Sequence, residues 1–237
     1  MLKIKNYSLE YFEGKKVIDD LNLEIKEGDI FAFVGRNGAG KTTTIKSIVG
    51  INHITEGDIL LDDVSILKKP LDYKKNIAYI PDTPALYEHL TGIQYLNFIA
   101  DMFEVTEKDR IERITKYAKK FDLYDELGNI IESYSHGMKQ KLVLISAFVH
   151  EPKLYILDEP FVGLDPKASY TLKEILKEKA KEGKIIFFST HVLDVAEKLC
   201  NKIAIIKEGK LIVEGDMKKV IADKSLEELF MELVVND

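Results

Sequence analysis

Apolar residues recur with two periods along this chain, and glycine or proline marks most of the places where one period gives way to the other. Residues 2–10 and 17–34 alternate in the manner of half-buried strands, and Glu27-Gly28 is placed to turn Leu21–Lys26 back into Ile30–Val34 as a hairpin. An antiparallel β lobe is therefore expected first. Helical spacing follows, with Ile45, Ile48 and Val49 on one face and Gly50 as the stop. Strands are expected near Gly57–Leu61 and at Asn76–Ile80, the second ended by Pro81. From Leu90 to about Ala147 the spacing is helical. Ile93, Leu96, Asn97 and Ala100 mark one face, and Ile111, Ile114, Ala118 and Phe121 another. An inserted, mainly helical lobe covering roughly residues 85–150 is the result.

Lys153–Leu157 is a continuous apolar run, as suits a parallel strand covered on both faces, and it ends at Asp158-Glu159-Pro160. A helix from about Lys167 to Glu182, a strand Lys184–Ser189 and a helix Val192–Cys200 come next. Ile203–Lys207 and Lys210–Glu214 flank Glu208-Gly209 as a hairpin. The last helix opens with Ser225 and Glu228 as a capping box, and Leu226, Leu229, Phe230, Leu233 and Val234 share the face that packs onto the domain. The fold class is α/β, with a mainly parallel sheet, the N-terminal antiparallel lobe and the inserted helical lobe, in one domain over residues 1–237.

Composition adds exclusions. Lys plus Arg (34) against Asp plus Glu (40) gives a net charge of −6, so no overall basic field suggests nucleic acid as a partner. The single cysteine, Cys200, rules out an intrachain disulfide and fits a reducing compartment. No apolar run approaches the ~18 residues that cross a bilayer, and Met1–Asn6 lacks an apolar signal core. A soluble, cytosolic chain is expected, any membrane-spanning segments belonging to another polypeptide.

The densest chemical signal is Phe31–Val49, FAFVGRNGAGKTTTIKSIV, an apolar strand feeding a glycine-rich turn that opens a helix. Gly35 and Gly40, followed by Lys41 and Thr42, make the G-x-x-x-x-G-K-[ST] pattern of a phosphate-binding loop. Glycines let backbone N–H groups converge on phosphate oxygens, and the helix aims its positive end at the same anion. Lys41 suits the β- and γ-phosphates, and the Thr42 hydroxyl suits Mg²⁺. Asp158 and Glu159 leave a strand at the sheet edge where ligands bind, Asp158 for the metal shell and Glu159 to polarise an attacking water. His191 follows the strand KIIFFST and arrives at that edge, placed to donate to a γ-phosphate. Phe12, with Tyr11 beside it, is either a core or turn aromatic or a flat face for a base. His53, His89 and His150 have no metal-ligand spacing. The nearest match to the guanine-reading N-K-x-D element, Asn201-Lys202-Ile203-Ala204, lacks the acid, which favours ATP.

With Tyr134-Ser135-His136-Gly137-Met138-Lys139-Gln140-Lys141-Leu142 ahead of the Asp-Glu strand, nearly the whole chain resembles the nucleotide-binding subunit of an ATP-binding cassette (ABC) transporter, whose signature is usually L-S-G-G-Q or L-S-G-G-M-K-Q. The resemblance implies that Phe12 stacks on the base. It makes Gly35, Arg36, Asn37, Gly38, Ala39, Gly40, Lys41, Thr42 and Thr43 the Walker A loop, Leu154–Glu159 the Walker B strand, Gly163-Leu164-Asp165 the D-loop and His191 the switch histidine. Two such domains close head to tail in this family, so Ser135 and the Gly137 backbone bind a γ-phosphate in the other copy, as a homodimer or a heterodimer. The implied function is ATP hydrolysis with Mg²⁺ on the cytoplasmic face of a membrane, powering separate permease subunits. These dock where Asp82–Gly92 joins the sheet to the helical lobe, with Leu86 and Tyr87 in the contact.

Two positions depart from the family pattern. Asp82 stands where a glutamine usually reaches Mg²⁺ and the water, so Asp82 is carried as a metal and catalytic candidate. His136 stands in place of the signature's first glycine. The competing functions are a soluble ABC ATPase without transport, and an ATP-bound regulatory module with low turnover.

Overall fold

The computed structural model describes residues 1–12 and 14–235, the side chains of Phe12 and Val235 excepted. β1 (Leu2–Phe12) and β2 (Lys15–Ile25) form an antiparallel pair in which inward Leu21, Leu23 and Ile25 follow a strand period, and Ile18 joins them across an irregularity in the register. β3 (Ile30–Val34) does not fold back on β2. It crosses to a second sheet, where it lies parallel to two later strands. The expected Glu27-Gly28 hairpin is corrected here, for a physical reason. Every residue of Ile-Phe-Ala-Phe-Val is buried, which a two-sided position satisfies and an edge of the antiparallel lobe does not. The turn is a tight loop instead, in which the Lys26 N–H donates to Asp29 Oδ2 (2.9 Å) and the Asp29 N–H to the Lys26 carbonyl (3.2 Å).

α1 (Lys41–Ile48) follows, ended by Gly50 at φ +71°. β4 (Glu56–Leu61) and β5 (Val64–Ser65) then return to the first sheet, giving the order β2-β1-β4-β5. α2 (Pro70–Lys74) leads into β6 (Ile77–Ile80), and α3 (Gly92–Met102), α4 (Glu107–Lys120) and α5 (His136–Val149) fill the stretch expected to be helical. A full capping box on Thr91 and Gln94 starts α3. On α4, Ile114, Ala118 and Phe121 are buried as expected and Tyr117 joins them, whereas Ile111 is 60% exposed. The buried stripe centres between Ile114 and Tyr117, and Ile111 lies past its edge.

β7 (Leu154–Asp158), α6 (Pro166–Lys181), β8 (Ile185–Thr190), α7 (Leu193–Leu199), β9 (Lys202–Lys207) and β10 (Lys210–Asp216) complete the second sheet in the order β10-β9-β3-β8-β7-β6. Within this sheet, among the described residues, only the β9–β10 hairpin is antiparallel. α8 (Met217–Ile221) and α9 (Leu226–Phe230) come next, α9 carrying the Ser225–Glu228 capping box and burying Leu226, and a π-helical turn over Met231–Val235 follows it.

The parallel sheet divides the core. Ala32 and Val34 of β3 face the helices of residues 92–149 and α6, while Phe31 and Phe33 face the antiparallel sheet and α1. On that second side the rings of Phe31 and Phe187 stack at 5.6 Å. With β3 central and parallel to its neighbours, the C-terminal ends of β3, β6, β7 and β8 all open on one edge.

Candidate functional site

Four loops leave that edge. From β3 comes the glycine-rich turn, wedged between β9 and β2. A Cβ on Gly35 would lie 2.5 Å from the Ile206 carbonyl oxygen, and one on Gly40, already at φ +109°, 2.5 Å from Ile18 Cδ1. Gly35, against backbone, thus requires glycine on space alone, whereas at Gly40 the tip of Ile18 can shift and the left-handed conformation decides. α1 begins at Lys41 with no side-chain cap, and its first helical bond is from the Thr44 N–H to the Gly40 carbonyl (2.8 Å). The N–H groups of Lys41, Thr42 and Thr43 have no acceptor within the helix, which leaves them for an anion at the turn. The Lys41 side chain folds into the loop, its Nζ donating to the carbonyls of Gly35 (2.7 Å) and Arg36 (3.3 Å). It is 7% exposed, and burial lowers its pKa while the carboxylates of Glu159 and Asp158 act the other way.

From β7 come Asp158 and Glu159. Asp158 is 3% exposed, and one carboxylate oxygen accepts from the Ser189 hydroxyl, directly opposite on β8. Glu159 takes a left-handed backbone, φ +50°, with its N–H donating to the Ser189 carbonyl (3.2 Å). Its carboxylate meets His191, with Oε1 3.0 Å from Nδ1 and Oε2 accepting the His191 N–H at 3.3 Å. Non-glycine residues held at positive φ cost of order 1–3 kcal/mol and cluster at working sites. From β6, past Pro81, comes exposed Asp82.

These segments enclose a cleft of about 500 Å³ lined by Asn37, Gly38, Gly40, Lys41, Thr42, Thr43, Asp82, Asp158, Glu159, Val162 and His191. Gly35 contributes backbone, while Arg36 and Ala39 do not line this cleft and instead border a second pocket beside Lys207 and Glu208, which Asn37 and Gly38 also line. Ser135 and Gly137 do not line the cleft. They begin α5, where Ser135 is the N-cap, its hydroxyl accepting from the Met138 N–H at 3.3 Å. Phe12 ends β1, but its ring lies outside the described residues. Beside it the exposed Tyr11 hydroxyl accepts from the Asn52 amide (3.1 Å), which also donates to the Thr43 carbonyl (3.3 Å).

Two participants escape the motifs. Ser189 is one, signalled only by a polar residue inside an apolar strand. Tyr79 is the other, its hydroxyl pushed up to about 12 by burial and by the Asp158 and Asp82 carboxylates nearby. Among the described residues no cluster of three or more His, Cys, Asp or Glu could hold a metal ion. The cleft instead offers separate oxygen donors, from Thr42, Asp82, Asp158 and Glu159, a set that suits a hard cation completed by phosphate and water.

Residues 18–162 match the model of the family described as ABC transporter. Over 232 residues the chain is 35% identical to the uncharacterized ABC transporter ATP-binding protein YthP of Bacillus subtilis, covering 96% of this chain and 94% of the relative. Over 242 residues it is 33% identical to the ABC-type transporter ATP-binding protein EcsA of the same organism, covering 100% and 98%. A solved structure described as the ATP binding subunit of an ABC transporter superposes with a TM-score of 0.94 at 35% identity, covering 98% of each chain.

Proposed function

The chain belongs to the ABC transporter family, and from that premise we propose how its cleft carries out the ATP binding and hydrolysis that make it a transporter's ATP-binding subunit. Convergence of residues 37–43, 82, 158–162 and 191 on one cleft is the observation that carries the proposal. Backbone N–H groups at the start of α1 hold the phosphates, and Lys41 swings from its own loop carbonyls to the β- and γ-oxygens, exchanging two hydrogen bonds for charged ones. Thr42, Asp158 and Asp82 would hold Mg²⁺, which when bound neutralises charge on the leaving phosphates. Glu159 orients the attacking water, and the His191 imidazole, steadied by Glu159, donates to the γ-phosphate. Phe12 takes the base. Ser135 and Gly137 complete the cleft of a second copy.

We further propose that residues 1–237 act as one nucleotide-binding domain with a helical subdomain over about 85–150. Among the described residues no helix is long and apolar enough to cross a membrane. Separate permease subunits would therefore supply the spanning segments and hold this chain at the cytoplasmic face. Their contact falls on a groove of about 380 Å³ between β6 and the helices, lined by Tyr79, Pro81, Ala85, Tyr95 and Phe103 among others.

Sedimentation of Glu159→Gln with Mg-ATP, against the same protein with ADP, tests the site. A dimer in ATP alone is expected, because binding persists while hydrolysis stops. A variant that hydrolyses ATP at the wild-type rate would remove Glu159 from the mechanism.

A further inference from the structure

The turn from Glu159 to Asp165 is held firmly at its two ends. Glu159 is bound to Ser189, while Asp165 accepts from the Ala168 N–H (2.8 Å) as the cap of α6 and pairs with Lys141 Nζ at 2.7 Å. Between them Val162 and Gly163 are exposed, and Phe161 lies edge-on to Phe188 at 5.8 Å. The first residue of α5 meets the exposed middle. A Cβ on Gly163 would stand 2.9 Å from both Cδ2 and Nε2 of His136, so the imidazole rests on the bare Cα of a glycine at φ +79°. A Cβ on Gly137 would stand 3.3 Å from the Gly163 carbonyl oxygen. α5 thus touches the turn through residues 136, 137 and 141.

We propose that His136 is a positioning residue for ATP hydrolysis, its ring keyed onto Gly163 so that the start of α5 and the turn that begins at Glu159 move as one body. The inference rests on the proposed roles of Glu159 in its own cleft and of Ser135 and Gly137 in a second copy's cleft. A rigid link between them ties the two sites together, because a phosphate seated on one copy's Ser135 sets the position of that copy's Glu159. A bare glycine at position 136 would leave the exposed middle of the turn without this contact. The ring turns its Cδ2–Nε2 edge to the Gly163 backbone of its own chain, as a packing key does.

Steady-state hydrolysis of Mg-ATP by the full chain, with kcat and KM measured separately, tests the link. His136→Phe, which keeps a planar ring and removes the charge, should stay within about twofold of wild-type kcat. His136→Gly, and Gly163→Ala whose methyl displaces the ring, should each lower kcat about five- to tenfold with KM for ATP unchanged. The double variant should be no slower than the slower single one, because both remove the same contact. Wild-type kcat in His136→Gly would overturn the proposal. So would a raised KM with His136→Phe as damaged as His136→Gly, which would make the imidazole a phosphate ligand. Alanine at Gly163 is strained on conformation alone, so if that variant fails to fold, the Phe-against-Gly comparison decides. A Glu159→Gln control as fast as wild type would instead overturn the underlying site assignment, and this link with it.

Discussion

Asp158 and Ser189 sit opposite one another on neighbouring parallel strands, thirty-one residues apart in the chain, and their hydrogen bond is out of reach of solvent. A buried carboxylate gives up its water, and donors and nearby cations take that place. Ser189 supplies a donor and Lys41 a neighbouring positive charge. Removing the hydroxyl leaves the Asp158 oxygen unpaired at a cost of about 1–3 kcal/mol. Ser189→Ala should therefore unfold at lower denaturant concentration, and its ATPase should need about tenfold more magnesium for half-maximal rate, since groups that orient a metal ligand have effects of that size. An unchanged magnesium titration would show that the hydroxyl does not orient the carboxylate. The phosphate loop, Asp158, Glu159 and His191 were legible in the sequence because each carries its chemistry within a few consecutive residues. Ser189 and Tyr79 were not, because their partners are set by strand register and by the approach of separate loops.

His150 ties three elements together. It ends α5, its Nε2 lies 3.1 Å from the Ile77 carbonyl at the start of β6, and its ring stacks on Phe103 beyond α3 at 3.7 Å. Burial holds its pKa below the ordinary 6.5, against the backbone carbonyls of Ile77 and Ser146, which act upward. The unfolded chain then takes up a proton before the folded one does as pH falls. The stability from this neutral, buried ring is complete above the unfolded value and is lost as pH drops through it. Wild type should lose melting temperature between about pH 7 and 5.5 faster than His150→Phe, which keeps the stack and cannot protonate. Parallel slopes for the two proteins would show that the ring is as easily protonated folded as unfolded. Most elements could be placed from periodicity, because strand and helix stripes differ in spacing wherever one face is buried. β3 could not, because a run buried on both faces has no alternation to say which sheet it joins, and the nearby turn residues suggested the nearer one. Ile111 shows the matching limit on a helix, where spacing alone does not locate the edge of the buried stripe.

At the scale of the whole molecule, the proposed function assigns partners to two surfaces. Beside the groove at β6, exposed Tyr87 lies edge-on to Phe98 at 5.6 Å, an aromatic pair facing solvent. Tyr87→Ala should impair assembly with the permease and transport while leaving ATP affinity within about twofold, because its ring is away from the cleft. Normal transport by that variant would remove Tyr87 from the permease contact. The other surface is the start of α5. Since Ser135 and Gly137 do not line the cleft of their own chain, the composite site proposed above calls for a second nucleotide-binding domain arranged so that each completes the other. Mixing tests this directly. A pair of Lys41→Ala chains has no intact phosphate loop, and a pair of Ser135→Arg chains has no intact signature turn, so each preparation alone should be inactive. A mixed pair has one site made of two damaged parts and one made of two intact parts. Equal mixing makes half the pairs mixed, so about a quarter of the wild-type rate should return if the sites act independently. Less than that, with mixed pairs shown to form, would mean that one intact site turns over more slowly without the other, as the His136–Gly163 link predicts. No recovery with the mixed pairs absent would mean that a different chain supplies the signature turn.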